Sequence, residues 1–460
     1  MMNGASITTR ATSSRTIALC SPIPSTSNPP SSRSHRLAGH LVRPGTLAHP
    51  GPRDGKGEAA TIGIVTEVRP KPKAPNLLAE SGLPLVYRVA AGAAQIPKRP
   101  GTDGFDVSSR AAVRTLTVMQ KEAVVVRSGS SVAWRLSSDE GPYLQGHDYS
   151  PAPLAHTTTG LAADLMLSIE RALDTSGIPA NTLRVELDTR FTMEGSLPRG
   201  TMVGGAIAPE ITVHLDHDDR SAVTGSVLTG VLASATAGLV GQPLLGLFSL
   251  TSHGAQIPVG RVAPLDERPP KADPAPVSPP VGADPDEPII VKTAEVEERP
   301  PDAGVGLQKE QRRELHLRAA VSRRSDGMAV IETRVHRPNG STFRFLSDER
   351  GRAPDAITYI SAGIGFCFMT QIGRYAKIIN TSLGDYHIVQ DTRFSLGDPK
   401  ADPPFGGRAD APRTHVYLAP DGDDDFARKA LDMSEQTCFN HALCRTELRP
   451  KVKVVLSRES

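Results

Sequence analysis

Cysteine and aromatic residues are scarce in this chain. Four cysteines occur in 460 residues, and aromatic residues make up 4% of the sequence. Four cysteines are too few for a disulfide scaffold, so we expect a reducing compartment in which any disulfide is catalytic or redox-sensing. The formal net charge of +2 excludes a global field that attracts nucleic acid or acidic lipid. We therefore predict a cytoplasmic protein with no nucleic-acid partner.

Acidic residues are missing from the first 53 positions, which hold six arginines and many serines, threonines and prolines. Such a composition is similar to that of an organellar targeting segment. The prolines, however, oppose the amphipathic helix that a mitochondrial signal needs. We interpret residues 1–109 as a disordered tail followed by an extended arm, and organellar targeting is the alternative.

Charged side chains are also missing from Ser221 to Gly260, a stretch long enough to span a bilayer. Glycines and one proline interrupt it repeatedly between Gly225 and Gly246, and serines and threonines dilute its hydrophobicity. A buried helix followed by a strand explains this composition better. We predict no membrane association.

Nucleotide-binding and hydrolase motifs are absent as well. The sequence contains no phosphate-binding loop, dinucleotide fingerprint or serine-hydrolase elbow, so we expect no cofactor. The glycine-rich stretch Gly195–Gly205 lacks the Lys-Ser/Thr pair of a phosphate loop and predicts a flexible loop.

An internal duplication is the strongest organisational signal. The tetrapeptide Asp-Thr-Arg-Phe at 188–191 recurs at 391–394, and the same offset of 203 residues relates Gly160 to Gly363 and Met166 to Met369. Collinear matches at one offset indicate two copies of one fold. We predict domains at 110–258 and 310–460, joined by a proline-rich linker at 259–309.

Each copy has the pattern of an α+β domain. In the first copy, strands precede a long helix over Leu154–Ser176, and further strands precede a second helix near Val223–Leu239. In the second copy, the second helix is expected at about 424–444 and a final strand at 452–456. Antiparallel sheets with two segregated helices per copy are typical of the α+β class.

Two cysteines lie on the predicted helices of the second copy. Cys367 lies in an apolar helix in which Gly363 and Gly365 permit close approach of another helix. The second helix carries Cys438, so we expect the two thiols to meet. Alignment of the copies places Asp164 opposite Cys367 and Gly238 opposite Cys438. The thiols are therefore confined to the second copy.

A buried thiol needs a nearby cation to become reactive, because burial alone raises its pKa. The candidate cations are Arg344, Arg374 and Arg393. In peroxide reduction the Cys367 thiolate attacks the O–O bond and becomes a sulfenic acid. Cys438 then condenses with it to form a disulfide, and an external dithiol restores both thiols.

The helix centred on Cys367-Phe368, followed about 70 residues later by a Glu-x-x-Cys motif ending at Cys438, resembles the OsmC/Ohr family of organic hydroperoxide reductases. The resemblance covers the second copy nearly end to end, and the first copy looks like a second such domain without cysteines. It implies a dimer-like α+β fold with intertwined sheets, two central helices and active sites at the dimer interface. The two copies would form that dimer within one chain. Cys367 corresponds to the family's peroxidatic cysteine and Cys438 to its resolving cysteine.

The sequence departs from the family just before the cysteine helix. The family's proline and glutamate positions are occupied by Ala356 and Ile357. The resemblance implies that this glutamate orients an active-site arginine, and Asp355 is a weak candidate substitute. His156 and Asp164 of the first copy are further candidates, since the copies are expected to pair.

A metal site is a weaker alternative. Cys438, His441 and Cys444 form a C-x-x-H-x-x-C pattern. On a helix the third residue drifts from the face of the first two, and a fourth ligand is not evident. We expect no metal and interpret Cys444 as a buried small residue.

Three functions remain open. The first is reduction of organic hydroperoxides through Cys367 and Cys438, with an external dithiol as reductant. The second is attack of Cys367 on another electrophilic or sulfur-containing small molecule. The third is a non-catalytic binding protein of OsmC type. The chain is expected to act as a monomeric pseudo-dimer or as a higher homo-oligomer.

Overall fold

The computed structural model describes residues 17–18, 74–271, 275–277, 287–295, 313–398, 400–401 and 406–457. These residues belong to one unit that comprises 1–19 and 74–460. Most of the predicted N-terminal tail and much of the proline-rich linker lie outside the described residues. Within these ranges the helices are α1 Leu77–Ser81, α2 Pro153–Thr175, α3 Arg220–Ala233, α4 Ala235–Val240, α5 Ala356–Ile379, α6 Asp424–Thr437 and α7 Phe439–Arg445.

The strands form two sheets. In chain order they are β1 Ile17–Ala18, β2 Val86–Arg88, β3 Val107–Thr115, β4 Lys121–Arg127, β5 Ala133–Ser138, β6 Arg184–Glu194, β7 Val203–Leu215, β8 Leu247–Ser252, β9 Ala255–Ile257, β10 Ala263–Pro264, β11 Ile290–Ala294, β12 Arg313–Arg323, β13 Ala329–Arg337, β14 Thr342–Ser347, β15 His387–Ser395, β16 Arg408–Ala409, β17 Arg413–Leu418 and β18 Lys451–Leu456. The chain is therefore a mixed α+β protein, as predicted.

The order of elements repeats along the chain. Helices α2 and α5, strands β6 and β15, and strands β7 and β17 follow one another in the same sequence. Helices α3 and α6 each have 14 residues, and each is followed by a short helix and then a strand. Below, residues up to 271 are called the first half and residues from 287 the second half.

Each sheet combines strands from both halves. One sheet has the order β1-β18-β7-β6-β12-β13-β14-β11, and the other has β10-β8-β17-β15-β3-β4-β5-β2. Strands of the two halves pair antiparallel at β6–β12 and β15–β3, the central junctions, and parallel at β7–β18 and β8–β17. Neither half therefore completes a sheet without the other.

The repeated Asp-Thr-Arg-Phe motif lies at these junctions. Asp391 on β15 binds Arg110 on β3 through two N–H···O bonds of 2.6 Å. Asp188 on β6 binds Arg318 on β12 in the same manner, with two bonds of 3.0 Å. Bidentate arginine–carboxylate pairs fix geometry as well as energy. The repeated aspartate thus sets the pairing of one half with the other.

The long helices α2 and α5 pack at the centre of the molecule, and glycines allow their close approach. A Cβ atom on Gly160 would lie 2.7 Å from the Ala356 carbonyl oxygen. A Cβ atom on Gly363 would lie 2.2 Å from Thr157 Oγ1 and 3.0 Å from the Pro153 carbonyl oxygen. The separations of 2.7 Å at Gly160 and 2.2 Å at Gly363 are too short for any Cβ atom, so the helix pair requires glycine at both positions.

The second helix of each half is broken, whereas the sequence predicts one continuous helix. The breaks occur at Ser234 and Cys438, which both have extended backbone and begin the next short helix. Cys438 therefore corresponds to Ser234, and the predicted alignment with Gly238 is wrong. The apolar periodicity continues through the break, which is why it does not show in the pattern.

Short elements also lie in segments predicted to be an arm and a spacer. Helix α1 and strand β2 precede the predicted first domain, and β11 lies within the predicted linker. β2 pairs with β5, and β11 pairs with β14 in the corresponding way. Edge pairing supplies the hydrogen bonds that order these short segments.

One described helix, α5, is long and apolar enough to cross a membrane, but the apolar window is 100% buried inside the protein. Such burial is typical of a core helix. The uncharged stretch Ser221–Gly260 contains α3, α4, β8 and β9 in place of one span.

Candidate active site

The two predicted thiols meet at the centre of the molecule. Cys367 lies in the middle of α5, and Cys438 lies at the break between α6 and α7. The Cys438 thiol donates to Cys367 Sγ, and the two sulfur atoms are 3.3 Å apart. The exposed fraction is 3% for Cys367 and 0% for Cys438. Both cysteines are free thiols in this structure.

The Cys438 thiol is held in its protonated form. Burial raises its pKa well above the usual value, and its bond to Cys367 raises the pKa further. The backbone N–H groups of Asn440 and His441 point at its sulfur and oppose this rise. Cys438 is therefore held as a thiol, and its S–H points at the Cys367 sulfur.

The helix break is held from three directions. Asn440 Nδ2 donates to Thr157 Oγ1 on α2 at 2.7 Å and to the Gly363 carbonyl on α5 at 2.9 Å. Arg445 Nη2 donates to the Gly204 carbonyl of the first half at 2.7 Å and to the Gln436 carbonyl at 3.1 Å. These bonds fix the position of Cys438 relative to Cys367. The bond from Arg445 to Gly204 also holds β7 against the helix break.

A buried cation of the first half, Lys121, interacts electrostatically with Cys367, and sequence reasoning missed it. Lys121 begins β4 and its exposed fraction is 0%. Burial lowers its pKa to about 8, while Glu140, Asp139 and Cys367 oppose that shift electrostatically. The only sequence signal is a charged residue two positions before the apolar run Ala123–Val126, which carries no motif.

A buried acid accompanies this lysine. Glu140 follows β5, and burial raises its pKa, whereas Lys121 and Arg374 lower it. Tyr143 Oη donates to Glu140 Oε2 at 3.3 Å from a half-buried turn. Arg374, one of the predicted cations, thus acts on Glu140. It also donates to Gln371 Oε1 at 3.0 Å.

The other two predicted arginines have acidic partners. Arg393 pairs with Asp103 at 2.6 Å and with Asp410 at 3.2 Å. Arg344 donates to the Pro288 carbonyl at 3.1 Å and lies 3.8 Å from Glu287. Within the described part of the chain, neither guanidinium bonds a thiol.

Asp164 occupies in the first half the position of Cys367. Its carboxylate accepts the backbone N–H groups of Ala235 at 3.2 Å and Thr236 at 2.7 Å, together with the Thr236 hydroxyl at 2.7 Å. Burial raises its pKa. Asp164 therefore caps α4 beside Ser234. The corresponding place in the second half holds the Cys367–Cys438 pair.

His156 and Asp355 are bound elsewhere in the core. His156 Nε2 lies 3.0 Å from the Ser137 carbonyl, and its ring packs on Tyr359 and Phe366. Burial lowers the pKa of His156 to about 4. Asp355 caps α5 by accepting the Thr358 N–H at 2.8 Å and pairs with Arg127 at 3.0 Å.

The residues of the C-x-x-H-x-x-C pattern lie in an apolar environment. The His441 ring lies between Phe248 and Phe368, and neither ring nitrogen has a hydrogen-bond partner among the described residues. Burial lowers its pKa to about 3 and raises that of Cys444 to about 12. In the ranges that the structure describes, no three His, Cys, Asp or Glu side chains are grouped to hold a metal ion.

Comparisons with known proteins give one weak likeness. No protein-family model and no curated protein matches the chain. A crystal structure of an OsmC-like hydroperoxide resistance protein from Jannaschia sp. CCS1 matches 27% of this chain and 80% of its own chain. The identity is 18% and the TM-score is 0.18. The chemistry of the site must therefore be argued from its own geometry.

Proposed function

We propose that this chain reduces organic hydroperoxides, with Cys367 as the attacking thiolate and Cys438 as the resolving thiol. The observation that carries the proposal is the 3.3 Å contact in which Cys438 donates to Cys367 Sγ. A donated S–H stabilises the Cys367 thiolate, and the same contact places the second sulfur where a sulfenic acid would form.

The reaction balances with one external reductant. The Cys367 thiolate attacks the outer peroxide oxygen, the O–O bond breaks, and the alcohol leaves with one proton. The Cys438 sulfur then displaces water from the sulfenic acid and forms a disulfide. A dithiol supplies two electrons and two protons, which restore both cysteines.

Both halves contribute to this proposed site. The thiols belong to the second half, whereas Lys121, Glu140 and the Gly204 carbonyl belong to the first half. We propose that the two halves act as one intrachain pseudo-dimer of OsmC type. The shared sheets support this proposal, because separation of the halves would remove strands from each sheet.

Thiol titration under denaturing conditions, before and after addition of tert-butyl hydroperoxide, tests the function. The intact protein should lose two thiols per chain, and Cys438→Ser should stop at a sulfenic acid on Cys367 that a dimedone probe labels. Cys367→Ser should consume no peroxide. Cys444→Ser is the matched control, because Cys444 is also buried on α7, and it should behave as the unsubstituted protein.

Mass spectrometry distinguishes the alternatives. A Cys367–Cys438 disulfide supports the proposal. Retention of full peroxide consumption by Cys367→Ser would overturn it. A covalent substrate adduct on Cys367 in place of the disulfide would instead favour attack on another electrophile.

A further inference from the structure

We infer that Asn440 positions Cys438 for attack on the oxidised form of Cys367. The inference rests on the proposed function and adds a positioning residue to its second step. In that step the Cys438 sulfur attacks the sulfenic sulfur of Cys367, an S–S bond forms and the S–O bond breaks. The thiol proton leaves with the hydroxyl group as water, so the step needs no further reactant.

The Asn440 side chain joins three helices beside the thiol pair. It is the second residue of α7, two positions after Cys438, and its exposed fraction is 0%. Its Nδ2 atom donates to the Gly363 carbonyl on α5 at 2.9 Å and to Thr157 Oγ1 on α2 at 2.7 Å. A side-chain amide has two N–H donors. Asn440 therefore uses both of its donors on other helices.

The two acceptors lie where they can fix one thiol relative to the other. Gly363 lies one helical turn before Cys367 on α5. The Thr157 hydroxyl occupies the space that a side chain at position 363 would need, because a Cβ atom there would lie 2.2 Å from Thr157 Oγ1. The amide of Asn440 thus binds the crossing of α2 and α5. Through it, a helix of the first half takes part in holding the start of α7.

The first half has an equivalent bond at its own helix break. Thr236 is the second residue of α4, two positions after Ser234. Its hydroxyl donates to the Leu161 carbonyl on α2 at 3.2 Å and lies 2.7 Å from Asp164 Oδ2. Leu161 lies about one turn before Asp164. A side chain at the same place therefore ties the short helix to the long helix in both halves, and only the second half has thiols there.

The distance between the sulfur atoms makes their relative position important for the rate. The Sγ atoms of Cys367 and Cys438 are 3.3 Å apart. Reacting atoms held about 3–3.5 Å apart and correctly oriented have a large rate advantage, and a displacement of about 1 Å can slow a reaction about 10²-fold. Loss of the Asn440 amide should therefore slow disulfide formation. Attack on the peroxide depends mainly on Cys367, whose own helix α5 remains intact.

The decisive experiment follows both steps in Asn440→Leu, a variant with a side chain of similar shape and no donors. After one addition of tert-butyl hydroperoxide, dimedone labelling at intervals and mass spectrometry separate the sulfenic acid on Cys367 from the Cys367–Cys438 disulfide. Disulfide formation should slow about 10–100-fold. Sulfenic acid formation should slow by no more than about threefold, from weaker S–H donation to Cys367.

Thr157 offers a milder pair of variants. Thr157→Val removes one of the two acceptors and should slow disulfide formation about 3–10-fold, whereas Thr157→Ser keeps the hydroxyl and should keep the rate. Thr157→Val combined with Asn440→Leu should be no slower than Asn440→Leu alone, because the donor is already gone. Thr236→Val is the matched control. It breaks the equivalent bond of the first half and should keep the rates of both steps.

Diamide separates this inference from the proposed function, because it oxidises a pair of thiols without a peroxide. It adds to one thiol, and the other thiol then displaces the reduced hydrazine and forms the disulfide. Mass spectrometry resolves the adduct from the disulfide. The second step should slow in Asn440→Leu and in Thr157→Val with diamide as it does with the hydroperoxide.

The outcomes are distinct. Parallel slowing of both steps in Asn440→Leu and Thr157→Val would show a general loss of structure and would overturn the inference, as would unchanged disulfide formation. If diamide forms the disulfide and hydroperoxide oxidises neither cysteine, the proposed function fails and the diamide rates alone decide the inference. If neither reagent forms the disulfide in the unsubstituted protein, both the function and the inference are overturned.

Discussion

Asp164 and Cys367 occupy the same position of corresponding helices, 203 residues apart, and each reaches the start of a short helix. Asp164 bonds the backbone N–H groups of α4, whereas Cys367 contacts Cys438 at the start of α7. One copy of the arrangement thus holds a helix cap, and the other holds two thiols.

Removal of the Asp164 carboxylate should destabilise the protein. Asp164→Ala leaves two buried N–H groups and one hydroxyl without their acceptor, which should lower the free energy of unfolding by about 2–4 kcal/mol. Urea denaturation measures this change. Asp174→Ala, an exposed acid on the same helix, should change stability by less than about 0.5 kcal/mol.

The glycines between α2 and α5 should not tolerate alanine. Gly363→Ala places a Cβ atom 2.2 Å from Thr157 Oγ1 and 2.6 Å from the Thr157 nitrogen, so α2 and α5 must separate. We expect a loss of about 2–3 kcal/mol in thermal or urea unfolding. Gly225→Ala on α3 has no atom within 4 Å and should instead stabilise by about 0.5–1 kcal/mol. Equal effects at the two positions would contradict this account of helix packing.

Lys121 should lower the free energy of unfolding at neutral pH. Its pKa falls from 10.5 in the unfolded chain to about 8 in the folded protein. Below pH 8 the side chain is protonated in both states, and the folded state then pays the free energy of burying its charge. Lys121→Met should raise the free energy of unfolding at pH 7 by about 2 kcal/mol. The unsubstituted protein gains stability as the pH rises from 8 to 10.5, because only the unfolded chain keeps the proton there. Urea unfolding at pH 7 and pH 10 should therefore show a shrinking difference between the two proteins.

His441 should make the protein sensitive to acid. Its pKa is lowered from 6.5 to about 3 by burial, so only the unfolded chain takes up its proton between these values. Its contribution to stability is present above pH 6.5 and is lost as the pH falls toward 3. His441→Leu should be at least as stable at pH 7, since the ring nitrogens have no partner in the described part of the chain, and should lose less stability at pH 5. A larger loss in His441→Leu than in the unsubstituted protein at pH 5 would contradict this prediction.

Arg445 should control access to the thiols. Its guanidinium joins the end of α6, next to Cys438, to the Gly204 carbonyl of β7, and both cysteines are buried. Arg445→Met should increase the rate of iodoacetamide labelling of Cys438 several-fold, measured by mass spectrometry of the native protein. Arg428→Met removes an arginine from the exposed side of α6 and should leave the labelling rate unchanged.

The sequence by itself determined the α+β class, the approximate bounds of the long helices, the internal repeat and the pairing of Cys367 with Cys438. Helix periodicity and repeated residues are local properties. The sequence assigned Gly363 and Gly365 to contact with the second helix, whereas Gly363 packs against α2 and Gly365 against β3 and β15. The breaks at Ser234 and Cys438, by contrast, depend on side chains and backbone groups brought from other elements. The periodic pattern of apolar residues therefore does not predict these breaks.

Only the tertiary structure decided which charges act on the thiols. The sequence favoured arginines of the second half, but Arg344 and Arg393 bond acids far along the chain, whereas Lys121 of the first half interacts electrostatically with Cys367. The pairing of β3 with β15 carries β4 and its lysine toward α5 across more than 200 residues of sequence. The physical reason is that electrostatic interactions depend on distance and burial, and neither can be obtained from residue spacing across two intertwined sheets.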